Sequence, residues 1–210
     1  MGIQKHFNNK QIRKIHNHMV AQLATGLSTN HKVAYPDQKN NRLRLPDLLV
    51  DNNYAMDVKV INPDEEDYQI DKTAIDNFKK GELAEAGGTI KTDNIKSAFK
   101  EACEQLENTG AGIRIIVLIS TLEIQNSDPS YIKYILKGIE SYILRDVRGK
   151  ITSIGKKMVS VPVTKKLSSR IDAILYIYGK GHDKRVLWKL NNKDCKLYRE
   201  MSAKQDSLWI

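Results

Sequence analysis

Apolar residues recur at three- and four-residue intervals through the start of the chain. Over residues 8–27, Ile12, Ile15, Met19, Val20, Leu23 and Leu27 fall on one stripe and predict an amphipathic helix. Gly26 and the run Ser28-Thr29-Asn30 stop it. His16 falls on that stripe and reads as a satisfied core residue rather than a ligand. Lys32 to Tyr35 reads as a short strand. Residues 43–60 then change pattern, with two short apolar runs flanking the polar turn Asp51-Asn52-Asn53, as a hairpin requires. Residues 62–93 are polar and mixed, with some helix around Thr73 to Ala84. A second helical stripe, Ile95, Ala98, Phe99, Ala102, Cys103 and Leu106, runs from Asn94 to Glu107 behind an Asp93 N-cap. Ile113 to Ser120 is continuously apolar, the mark of a strand covered on both faces. Ile132, Ile135, Leu136, Ile139 and Ile143 predict a third helix from Ser130 to about Val147, started by Asp128-Pro129. The remainder reads as strands, Met158 to Val163, Ile171 to Tyr178 and Arg185 to Leu190, with a hairpin tip at 179–184.

The hairpin carries charges where a core strand would not. Asp57 and Lys59 are two apart on its second arm and therefore share a face. Burying a carboxylate and an ammonium is costly unless something uses or neutralises them. For Asp47 on the first arm to face Asp57, Val50 must lie opposite Tyr54. That register leaves Asp51-Asn52-Asn53 as a three-residue loop, with Asn53 the expected left-handed residue.

Composition narrows the class. The 210 residues suit one domain, with a core over about 8–147 and a basic, β-rich elaboration over about 148–210. No apolar run approaches a membrane span and the N-terminus lacks a signal-peptide stretch, so no membrane partner is expected. Cys103 and Cys195 are too few for a disulfide framework or a cysteine zinc site, and a reducing, cytoplasmic setting is expected. The net charge of +9 is unevenly spread: residues 63–107 hold twelve acidic and six basic side chains, whereas 145–210 hold sixteen basic and six acidic. Such asymmetry is the footprint of a polyanion binder.

Pro46-Asp47 on one arm and Asp57-Val58-Lys59 on the other resemble the PD-(D/E)xK signature of nucleases with a restriction-endonuclease-like fold. The resemblance covers roughly residues 8–120, in the order helix, strands, helix, strand. Isolated matches are common here. Three prolines precede an aspartate, and Asp-x-Lys also ends at Lys39 and Lys196. Only Asp47, Asp57 and Lys59 lie on two tightly joined strands.

The resemblance implies an α/β fold, a central mixed sheet flanked by helices, and hydrolysis of phosphodiester bonds in double-stranded DNA, as in restriction or defence. It implies Mg2+, with Mn2+ able to substitute, held by Asp47, Asp57 and the Val58 carbonyl. Lys59 would activate water and stabilise the transition state. Gln105, at the edge of its helical stripe beside Glu101, matches a glutamine or lysine that many members place at the rim of the site. Duplex cutters of this fold are commonly homodimers. One departure stands out: many members add a glutamate from the first helix, and residues 1–36 contain no Asp or Glu. A single metal ion is therefore expected. The alternatives are a toxin-like nuclease of the same fold acting on structured RNA and a non-catalytic nucleic-acid-binding protein.

Overall fold

The computed structural model describes residues 7–36, 44–62, 93–121, 139–145, 151–158, 169–179, 184–191 and 195–203, with isolated positions between them. Helix α1, Asn9–Ser28, starts at an Asn8–Gln11 capping box. Strand β1 is Val33–Ala34, β2 is Leu48–Val50 and β3 is Tyr54–Ile61. Helix α2 spans Asp93–Glu107 and leads into β4, Ile113–Ser120. Strands β5, Ile139–Arg145, and β6, Ile151–Met158, are followed by β7, Ala173–Tyr178, and β8, Lys184–Lys189. Helix α3 is Lys196–Ala203.

Six strands form one mixed sheet in the order β1-β2-β3-β4-β7-β8, and β5 and β6 form a separate hairpin. The pairs β3–β4 and β4–β7 are parallel; the outer pairs are antiparallel. The fold is thus α/β with an open mixed sheet flanked by helices. One face packs Met56, Val58, Ile115, Val117 and Leu175 against α1 and α3. The other packs Ala55, Ile61, Ile116, Leu118 and Ile174 against α2. Among the described residues no helix is long and apolar enough to cross a membrane.

Several sequence expectations change here. The last third of the chain does not stand outside the core, because β7 pairs with β4 in the middle of the sheet. Its run Ala173 to Ile177 is buried throughout and needs an interior place. Residues 139–145, expected to be helical, pair antiparallel with 151–158. Ile139, Tyr142 and Ile143 are β-formers beside a short turn, so local pairing overrides the three-and-four spacing. Helix α3 had no expectation attached to it. The rest of the helix read over 130–138, the strand over 159–163 and most of the helix around Thr73 to Ala84 lie outside the described residues.

The hairpin has the expected register, Val50 opposite Tyr54. The left-handed residues, however, are Asp51 (φ 52°) and Asn52 (φ 53°), not Asn53. Asp51 is held there by its own bonds: its carboxylate accepts from the Lys32 amide at 2.8 Å and meets His31 Nδ1 at 2.6 Å. Asn53 instead offers its carbonyl to Ile113 N at 3.1 Å, which docks the turn on β4.

His31 ties the turn to α3. Its ring is 4 % exposed, and its Nε2 meets Glu200 Oε2 at 2.8 Å while Nδ1 meets Asp51. With a carboxylate on each nitrogen, the imidazolium, with hydrogen on both, is the form that satisfies the two contacts. The Asp51 bond is the main cause that raises the His31 pKa above its ordinary value; burial opposes it and Glu200 reinforces it. A raised folded-state pKa gives stability that is fully present below the unfolded value and lost as pH rises through the folded one. His31→Gln is therefore expected to cost ~1–3 kcal/mol at about pH 6 and less at about pH 9. Thermal unfolding of both proteins across that range checks this. A gap that widens with pH would disprove the imidazolium clamp.

Candidate active site

Continuing the β2–β3 register beyond Leu48–Met56 puts Asp47 opposite Asp57 and Pro46 opposite Val58. Proline has no N–H to give to the Val58 carbonyl, so the ladder stops there. The Val58 amide turns to a side chain instead, donating to Asp47 Oδ2 at 2.8 Å. The N–H and C=O of one strand residue leave by the same edge, so the Val58 carbonyl also faces the Pro46-Asp47 segment.

Asp57 projects from the α2 face of β3 and is fully buried. Lys59 Nζ lies 3.0 Å from its Oδ2 as an ion pair, and beyond that lysine neither Asp57 oxygen has a polar partner among the described residues. Burial pushes the Asp57 carboxyl up to about 7; Lys59 opposes that rise and the Asp47 charge adds to it. This carboxylate is short of positive charge and of donors. The second charge on the strand is better provided for. Lys59 donates to Gln105 Oε1 at 2.5 Å, and Glu101 Oε2 lies 4.0 Å away.

Gln105 has a second contact, donating through Nε2 to the Leu45 carbonyl at 3.1 Å. Asn108 at the end of α2 does the same for the Arg44 carbonyl at 2.9 Å. The C-terminal end of α2 therefore clips down the segment that delivers Pro46-Asp47, and Gln105 links that segment to Lys59.

The structure brings Asp47, Asp57, Val58, Lys59 and Gln105 together, with Glu101 at the margin. It also adds His16, which was expected in the core. His16 is half-buried, and its Nε2 meets Asp47 Oδ2 at 3.2 Å while Nδ1 meets Asn17 Oδ1 at 3.2 Å. The Asp47 bond is the main cause that raises the His16 pKa, with burial and Lys59 working against it. No local signal marks it: His16 is one turn after Ile12 and one before Val20, in the middle of the stripe, in a helix without acids. The first helix thus does reach the site, through an imidazole.

A divalent cation fits these donors. Both protein bonds to Asp47 fall on Oδ2, so Oδ1 has no protein donor among the described residues. Two carboxylates with spare oxygens and one backbone carbonyl suit Mg2+, which keeps several waters. Among the described residues no group of three or more His, Cys, Asp or Glu side chains is arranged to hold a metal ion. In comparisons with family models, curated proteins and solved structures, nothing matches the chain.

Proposed function

We propose that the protein is a magnesium-dependent endonuclease with a restriction-endonuclease-like core, acting on double-stranded DNA. One observation carries this: among the described residues a fully buried carboxylate, Asp57, has no polar partner besides a lysine 3.0 Å away, and it stands near a second carboxylate. Purely structural ion pairs have their lone pairs satisfied. An arrangement that leaves them open is built to receive a cation. The order α1, β1 to β3, α2, β4 is the order that the resemblance requires, and it supports the same reading.

When bound, Mg2+ would neutralise charge on the scissile phosphate and acidify a bound water. The chain's own residues supply the rest. Lys59 has three N–H donors, of which one is used on Gln105, leaving others for the attacking water or a phosphate oxygen. Gln105 fixes where that ammonium sits. His16 and the Val58 amide fix Asp47 by two donors on one oxygen, orienting the other oxygen. The water's proton passes to solvent or to a neighbouring base, and the strand breaks as the attacking oxygen enters in line with the leaving one.

The test is cleavage of supercoiled and linear duplex DNA with Mg2+ or chelator, beside Lys59→Ala, together with thermal unfolding with and without Mg2+. Cutting is expected only with Mg2+ and is expected to fall by at least about a thousandfold in Lys59→Ala. Mg2+ should raise the melting temperature of the wild type. Cutting that persists in chelator or in the variant would sink the proposal; cutting of transfer RNA but not of duplex DNA would replace the substrate.

A further inference from the structure

The two helices that border the site differ in charge. On α2 the exposed side chains near it include Glu101, Glu104 and Glu107, the last bound to Arg170 at 2.6 and 2.7 Å. On α1 the exposed side chains include Lys10, Arg13 and Lys14, and residues 1–36 contain no acid to offset them. None of these three cations is ion-paired among the described residues. Solvated lysines are common on helices, but an uncompensated row at a fixed place beside a phosphodiesterase site is a more specific arrangement.

The placement is rigid. Before α1, the Phe7 amide donates to Asn62 Oδ1 at 3.3 Å and the Phe7 carbonyl accepts from Asn62 Nδ2 at 2.9 Å, just after β3. Two turns into the helix, His16 meets Asp47. Both ends of this half-helix are thus tied to the strand pair that carries Asp47, Asp57 and Lys59. At about 3.6 residues per turn Arg13 stands about 60° round the helix from His16, Lys10 about 120° and Lys14 about 160°, so the three cations form an exposed row that starts beside the site-facing side and continues onto the outer face.

We infer that Lys10, Arg13 and Lys14 form the track for the phosphodiester backbone of duplex DNA leading to the scissile phosphate, and that the α2 side stays clear of it. This rests on the proposed function of the site. The electrostatic term works through counterion release: each phosphate contact contributes about 0.9 to the slope of log K against log salt.

The experiment uses the full chain with Asp57→Ala, which blocks cutting, and measures duplex binding across a salt series. The same chain is compared with Lys10→Gln, Arg13→Gln and Lys14→Gln combined. A charge-matched control removes Lys32, Lys80 and Lys184, which are exposed elsewhere. Circular dichroism checks that each protein is folded. The expected result is a slope shallower by about 2–3 in the α1 variant and little changed in the control. In the cutting-competent background, the α1 variant should lose cleavage at moderate salt and regain much of it at low salt. Equal slopes in the two triple variants would overturn the track while leaving the cleavage assignment intact. Failure of the parent to bind duplex, with no cutting by the wild type, would overturn both.

Discussion

Asp57→Asn is expected to abolish cutting and, at neutral pH without magnesium, to make the protein more stable. The two effects have one cause. Asp57 is fully buried, has no polar partner but Lys59 among the described residues, and has its carboxyl pushed up to about 7, first by burial and then by the Asp47 charge, against the pull of Lys59. The folded state therefore holds this proton where the unfolded chain has already lost it. Between about pH 4 and about pH 7 the folded protein binds more protons than the unfolded one, so stability falls as pH rises through that window and stays reduced above it. An amide carries no charge to desolvate. Its own unmet hydrogen bonds take back part of the gain, which leaves ~1–3 kcal/mol, or ~3–10 °C in melting temperature for a chain of this size. Magnesium should reverse the ranking: it stabilises the wild type and leaves Asp57→Asn unmoved. Calorimetry at about pH 5 and about pH 8, with and without Mg2+, measures all of this. An Asn variant less stable than the wild type at the higher pH would show that this carboxylate is satisfied, and the case for a cation would go with it.

The largest loss of stability is expected at the other buried carboxylate. Asp172 is 1 % exposed and, unlike Asp57, fully provided for. Its Oδ2 accepts from the Arg114 amide at 2.8 Å, and its Oδ1 accepts from Asn191 Nδ2 and lies 2.8 Å from Lys193 Nζ. Its backbone exchanges bonds with Arg114 and Leu190 as well. Burial works to raise its pKa, but Lys193, the Arg114 amide and Asn191 together hold it below the usual carboxylate range. The residue thus fastens β4, β7 and β8 at one end of the sheet. Asp172→Ala strands the Arg114 amide and the Asn191 side chain, and is expected to cost ~3–5 kcal/mol. Asp172→Asn keeps one acceptor and should cost about half as much. Because the folded pKa is depressed, the contribution is present above the ordinary carboxylate value and lost as pH falls through the folded one. Urea unfolding at about pH 7 and about pH 3 gives both numbers. A cost under ~1 kcal/mol for the alanine variant would mean that the strand ends hold without it.

The two buried carboxylates also show what the sequence disclosed. Asp57 and Lys59 were legible because a strand has period two and a three-residue loop leaves one register that faces Asp47 to Asp57. The α2 stripe placed Gln105 at its border for the same geometric reason. His16 was not legible: the helical period sets its angle on the wheel, but not whether the strand packed there presents an apolar or a charged side chain. Asp172 stands directly before an apolar run, where alternation says nothing about capping a sheet. The β5–β6 hairpin went unseen because Ile139 and Ile143, four apart, satisfy helix spacing while their β-branched side chains favour a strand. The central place of β7 depends on pairing between residues about sixty apart, Ile115 with Ala173 and Ile119 with Ile177, which no local pattern encodes.

The missing rung at Pro46 has a consequence for how such a site is kept. A hairpin gains from every added pair, so a growing ladder would close over the Val58 carbonyl and hide it inside the sheet. A ring at position 46 halts that growth just past Asp47, and the carbonyl is left without its ladder partner. Under the proposed function, strand pairing and metal capture would compete for the same oxygen, and a proline settles that contest in favour of capture.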